Sequence, residues 1–301
     1  MIDSELIAEI KRLKQKKNAI ILVHNYQPAE IFKIADFIGD SLELSRKAAQ
    51  SGAPLILFCG VRFMAETAKL LSPDSRVIMP EPKAGCELAD EATSKDLRNK
   101  KKALGDVVTV TYVNTTAEVK AESDICCTSA NAVRVVKTLP RGSRVLFVPD
   151  KNLAAYVAQK TNYEIIPWPG SCYVHACFTA FDVRRARRKH PGAVVISHPE
   201  SPPDVLAASD YVASTGGMLK LAKECDEIVL GTDAGMCARI QYEYPGKKCY
   251  PLKPDALCRN MKRTTLGKAM RALKDETGEV TVPQGIAEKA RAAIERMMAV
   301  N

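Results

Sequence analysis

Cys86, Cys172 and Cys258 stand 86 residues apart in this 301-residue chain, and each closes the same local pattern. RVIMPEPKAGC, YEIIPWPGSC and KKCYPLKPDALC are each a short β-like run, a pair of prolines and then the cysteine. A fixed period of this length marks a repeated supersecondary unit, and it decides the fold before any single segment is read. Other features recur in phase. AIILVHNY, VVTVTYVN and AVVISHPE are apolar, β-branched runs ending in polar groups: His24 to Tyr26, Tyr112 to Asn114, and His198 to Glu200. ADFIGDS, SDICCTS and SDYVAST align Asp36, Asp124 and Asp210, each followed four or five residues later by a hydroxyl. Helix-like stretches follow, then second strands PLILFCGV, RVLFVPD and EIVLGTD.

The unit therefore reads strand, short segment, helix, strand, helix, strand, proline and cysteine. Apolar strands alternating with helical patterns predict parallel βαβ units. The expected fold class is α/β, with three homologous α/β/α sandwich domains of Rossmann-like character and short parallel sheets around a pseudo-threefold axis. The expected divisions are 1–87 with an N-terminal helix, 88–173, 174–258, and a helical extension over 259–301. Parallel strands bring their C-terminal ends to one edge, where open α/β sheets bind ligands.

Threefold symmetry makes equivalent positions converge, so three cysteines distant in sequence can meet at one point. The chain has ten cysteines but no CxxC, which excludes a zinc ribbon and a thioredoxin-like motif. Three thiolates are one fewer than a closed iron–sulfur or structural zinc site uses. A [4Fe–4S] cluster on Cys86, Cys172 and Cys258 would leave one iron without a protein ligand, able to act as a Lewis acid. Zinc on three thiolates is the alternative. His175 is the only nearby candidate for a fourth ligand. Cys59, Cys126, Cys127, Cys177, Cys225, Cys237 and Cys249 are read as structural, since a free cysteine usually behaves as a small apolar residue.

Ser41, Ser129 and Ser214–Thr215 each precede a helix-like stretch. Helix N-termini bind anions through free N–H groups, although Ser and Thr are also ordinary caps. The strand-end His24, Tyr26, Tyr112, Asn114, His198 and Glu200 suit proton transfer and hydrogen bonding to a substrate. A net charge of +9 fits small anionic substrates. The basic runs lack interleaved aromatic residues, which argues against nucleic acid. The longest apolar run, Ala53 to Val61, is too short to span a bilayer, and the N-terminus reads as an amphipathic helix rather than a signal peptide. A cytoplasmic location with no membrane partner is the expectation.

HNYQP, GDSLEL, FCGVRFMAET, TYVNT, CTSANA, PDKNLAAYV, PGSCYVH, HPE, STGGM, GTDAGM and CRNMKRTTL span nearly the whole chain. Together they resemble the quinolinate synthase family. The resemblance implies condensation of iminoaspartate (iminosuccinate) with dihydroxyacetone phosphate to quinolinate, phosphate and water in NAD biosynthesis. It implies one oxygen-sensitive [4Fe–4S] cluster on Cys86, Cys172 and Cys258, and an aspartate oxidase or dehydrogenase that supplies iminoaspartate. It places substrate contacts on His24, Ser41, Tyr112, Asn114, Ser129, His198, Glu200 and Thr215, with Tyr26, His175 and Ser214 beside them. On this reading Glu200 is the base, with Tyr26, Tyr112 and His198 relaying protons. Two stretches depart from the family pattern. VHACFT lacks a charged pair before Phe178, and CRNM lacks the further cysteines of some relatives. Other threefold cluster enzymes, which take a diphosphate or S-adenosylmethionine, and an iron–sulfur electron carrier are the rival classes. The HNY, YVN and HPE strand ends argue against the two enzymes, and an electron carrier would want a fourth thiolate and would not need convergent His, Tyr and Glu.

Overall fold

The computed structural model describes residues 2–300 and shows an α/β chain with three four-stranded sheets, all parallel. In chain order the strands are β1 (Ala19–His24), β2 (Phe37–Gly39), β3 (Leu55–Cys59), β4 (Arg76–Ile78), β5 (Val108–Tyr112), β6 (Ile125–Cys127), β7 (Arg144–Val148), β8 (Glu164–Pro167), β9 (Val194–Ser197), β10 (Tyr211–Val212), β11 (Glu227–Gly231) and β12 (Lys248–Pro251). The sheet orders are β2-β1-β3-β4, β6-β5-β7-β8 and β10-β9-β11-β12, one connectivity used three times. The short segment between first strand and helix includes an edge strand: β2, β6 or β10.

A strand buried on both faces reads as a continuous apolar run, and β3 (LILFC) is buried at every position. Side chains alternate between faces with period two. Leu22, Phe58, Val145, Phe147, Ile228 and Leu230 thus enter one core shared by all three repeats. Their neighbours turn outward into separate clusters: Ile21 and Val23 in the first repeat, Leu146 and Val148 in the second, Val195 and Val229 in the third. Burying each such side chain contributes about 1.5–3 kcal/mol, so the shared core is what holds the three sheets to one another.

The repeated aspartates have a structural task. Asp36, Asp124 and Asp210 each accept a first-strand N–H through a carboxylate oxygen, from Ile21 at 2.8 Å, Thr109 at 2.7 Å and Val195 at 2.8 Å. The backbone N–H of each aspartate donates back to the carbonyl of the same residue. The carboxylate extends the ladder just before the edge strand begins, satisfying an N–H that the short strand leaves unpaired.

The C-terminal extension ties repeats together. Helix Leu266–Asp275 packs on the N-terminal helix Asp3–Lys16 and on β3, and helix Gln284–Met298 packs on β6, on helix Ala117–Ala121 and on helix Arg62–Leu71. Among the described residues, no helix is long and apolar enough to cross a membrane.

Candidate active site

Strands β1, β5 and β9 end at one cavity, lined by His24, Tyr26, Ser41, Tyr112, Asn114, Ser129, His175, His198, Glu200 and Thr215 among others. Cys86, Cys172 and Cys258 line the same cavity. The residues predicted from the repeat therefore come together, with one exception. Ser214 does not line it; its hydroxyl caps helix Thr215–Glu224 by accepting from the Gly217 N–H at 3.2 Å.

The three cysteine loops are held alike. The N–H groups of Arg62, Lys151 and Ala234, each just beyond a central strand, donate at 2.8 Å to the carbonyls of Ala84, Gly170 and Ala256, two residues before each cysteine. Asp150 then accepts the Cys172 N–H at 3.2 Å, and Asp233 accepts the Cys258 N–H at 2.6 Å. Val61 occupies the corresponding place in the first repeat, so Cys86 has no such latch. Asp233 is further anchored by the Lys262 ammonium at 2.8 Å, and Lys262 also donates to the Tyr26 carbonyl. These anchors were not foreseen from sequence. The aligned RVLFVPD and EIVLGTD runs did carry the signal, because an aspartate ends both runs.

The backbone N–H three residues beyond each cysteine, on Ala89, His175 and Met261, favours that cysteine's thiolate. Burial nevertheless raises all three thiols, Cys258 to about 11, and neighbouring cysteine charges add to the rise at Cys86 and Cys172. Soft donors that stay protonated alone, and repel one another when ionised, fit a cationic metal group that holds them as thiolates.

His24 and His198 occupy equivalent strand ends and share one geometry. Nδ1 of His24 accepts the Tyr26 N–H at 3.1 Å, and Nδ1 of His198 accepts the Glu200 N–H at 3.4 Å. This fixes the tautomer, leaving Nε2–H as the donor on each ring. Burial pushes both down to about 3, with Lys262 adding to the shift of His24, so both are neutral near pH 7. Nε2 of His198 lies 3.2 Å from the Ser129 hydroxyl.

Glu200 is the hub. Its Oε1 accepts from the Tyr112 hydroxyl at 2.5 Å, and its Oε2 lies 2.7 Å from Nδ1 of His175, off the line of a hydrogen bond. Burial would raise the carboxyl, but His175, His198 and the Tyr112 hydroxyl outweigh it and hold it down at about 2. Burial and the Glu200 charge push Asp150 up to about 7. Nε2 of His175 lies 2.9 Å from the Thr232 hydroxyl, which also pairs with the Tyr26 hydroxyl. The His175 and His198 rings stack at 4.5 Å. Cys172, His175 and Glu200 offer ligand atoms within 4.8 Å of one another. Nε2 of His175 faces Thr232, while its Nδ1 has no hydrogen-bond partner among the described residues.

The helix ends differ from expectation. Ser41 opens its helix, but Asp40 caps it, accepting the Leu42 and Glu43 N–H groups at 3.0 Å. Ser129 lies ahead of a helix that starts at Ala132, with Asn131 at the cap position. Asp40 therefore takes the N–H groups that an anion would use at the first helix. Asn114 Oδ1 is buried with no hydrogen-bond partner among the described residues.

Residues 8–299 match the family model described as quinolinate synthetase A protein (NadA). The chain belongs to that family. Its members are enzymes, and this chain is one. It is 50% identical over 301 residues to a quinolinate synthase of Desulforudis audaxviator, covering 99% of each chain. The same identity holds over 303 residues with a quinolinate synthase of Methanoregula boonei (100% of each) and over 300 with one of Thermococcus kodakarensis (99% of each). The family match runs through all three repeats and the C-terminal extension, so every residue of the cavity lies inside it.

Proposed function

We propose that this chain is a quinolinate synthase of NAD biosynthesis, condensing iminoaspartate from an aspartate oxidase or dehydrogenase with dihydroxyacetone phosphate. What supports this most is the convergence of three cysteines and six strand-end polar groups on one cavity, in a chain half identical over its length to enzymes of that name. Cys86, Cys172 and Cys258 would hold a [4Fe–4S] cluster. When bound through three thiolates, it supplies an iron with no protein ligand, a Lewis acid for a carbonyl or a departing hydroxyl.

The chain's own groups divide the remaining work. Neutral His24 and His198 present Nε2–H donors to the phosphate and carboxylates of the substrates, with the Ser41, Ser129 and Thr215 hydroxyls alongside. Asn114 offers its unpartnered oxygen to a substrate N–H or O–H. Glu200, ionised, takes a proton from the condensing carbon or nitrogen, and the Tyr112 hydroxyl stabilises the carboxylate between turnovers. A proton on Glu200 reaches Thr232 and Tyr26 through His175 once the ring turns its Nδ1 into line with Oε2. His198 serves better as a donor than as the relay predicted from sequence, because its Nδ1 is engaged and burial keeps it neutral.

Anaerobically purified protein, given chemically generated iminoaspartate and dihydroxyacetone phosphate, should release quinolinate and phosphate in equal amounts. Iron-loaded protein that forms no quinolinate would overturn the assignment.

A further inference from the structure

We infer that Cys237 and Cys249 form a thiol–disulfide site, separate from the cavity thiols, that closes on exchange with a low-molecular-weight disulfide such as oxidised glutathione. The two sulfurs lie 2.7 Å apart, closer than unbonded sulfurs pack. Both side chains are buried and belong to the shared core. They come from different elements, Cys237 from helix Gly235–Glu243 and Cys249 from β12, so sequence spacing gave no hint that they meet.

The other cysteines outside the cavity behave differently. Cys126 and Cys127 are neighbours on β6, where successive side chains point to opposite faces. The Cys177 thiol, on an exposed residue, donates to the Val174 carbonyl at 3.0 Å. Among the described residues, no His, Asp or Glu joins Cys237 and Cys249 to complete a set of three ligands. Two facing thiols without a third donor suit a disulfide better than a metal.

Position gives the bond a consequence. β12 runs into the loop that carries Cys258, and helix Gly235–Glu243 starts two residues after Asp233, which holds the Cys258 N–H. A Cys237–Cys249 bond would join covalently the two arms between which Cys258 is suspended. In closure, local opening of the edge strand β12 brings one sulfur to solvent, where it loses its proton and attacks the small disulfide, releasing one thiol. The second sulfur then loses its proton and displaces the other. Two protein thiols give up two electrons, and the small disulfide takes them to become two thiols.

The test uses cluster-loaded protein incubated anaerobically with oxidised glutathione, then alkylated in denaturant and digested without reduction. Mass spectrometry should find one cross-linked pair joining the Cys237 and Cys249 peptides, with iron content unchanged. The thermal midpoint of the oxidised protein should rise by about 5 °C, a shift absent from Cys249→Ala and from Cys237→Ser. Recovery of both residues as alkylated thiols, or of either as a glutathione adduct instead of the cross-link, would overturn the inference, and wild-type protein alone decides it.

Discussion

The Tyr112 hydroxyl donates to Glu200 Oε1 at 2.5 Å, joining the end of β5 to the loop after β9 and so coupling the second repeat to the third. Both groups are buried, and the hydrogen bond is charge-assisted, a class that contributes about 1.5–3 kcal/mol. Glu200→Gln should lower kcat by at least about 100-fold while the cluster absorbance stays intact. Tyr112→Phe should also lower kcat, and the double variant should lose much less than the product of the two, because the residues act as one unit. Full activity in Glu200→Gln would remove Glu200 from the chemistry.

The aspartates at the edge strands should behave as fold elements. Asp36→Ala, Asp124→Ala and Asp210→Ala each leave a first-strand N–H without its partner, at a cost of about 1 kcal/mol measured by denaturant unfolding. Their kcat values should match the unsubstituted enzyme. A large activity loss in any of them, at unchanged stability, would place that aspartate in the site.

Buried neutral histidines make stability depend on acid. The folded values of His24 and His198, about 3, lie below the ordinary 6.5, so the unfolded chain binds these protons first as pH falls. Their contribution is whole above about pH 6.5 and is lost progressively down to about pH 3, at up to about 1.4 kcal/mol per pH unit for each ring. His24→Gln should flatten the decline of the unfolding midpoint over that window. A variant that tracks the unsubstituted protein would show His24 to be charged in the fold.

Asp233 should matter for holding Cys258 rather than for the chemistry. Asp233→Asn can turn its amide toward the Cys258 N–H and lose that acceptor, and it weakens the Lys262 contact. Iron should leave this variant several-fold faster on addition of a chelator, while Val61→Ala, at the unlatched first repeat, should lose it at the unsubstituted rate. Equal rates for Asp233→Asn and the unsubstituted protein would show that the latch does not act on the cysteine.

The triple sheet was legible because duplication prints its period in the cysteines, the strand ends and the aspartates together. The strand-end residues were legible for the same reason, since parallel strands deliver equivalent positions to one edge. The aligned aspartates were visible as a pattern, but their backbone partners lie 15 residues upstream and only the folded ladder brings them together. Lys262 and Arg239 escaped notice because neither has a repeat counterpart. Lys262 reaches the Tyr26 carbonyl from the C-terminal extension, and Arg239 reaches Asn25 across the chain at 3.2 Å. The hydroxyl pattern points to Ser41, which lines the cavity, and carries no sign that Asp40 beside it caps the helix. Cys237 and Cys249 were read singly as apolar residues, and their contact is a product of packing alone.

Iron and acid-labile sulfide, counted per chain in protein prepared without oxygen, bear most directly on the central claim. About four irons per chain are expected, lost in Cys86→Ala, Cys172→Ala and Cys258→Ala alike and retained in Cys126→Ala. An iron-free chain that still forms quinolinate, or a full iron count in Cys172→Ala, would contradict it.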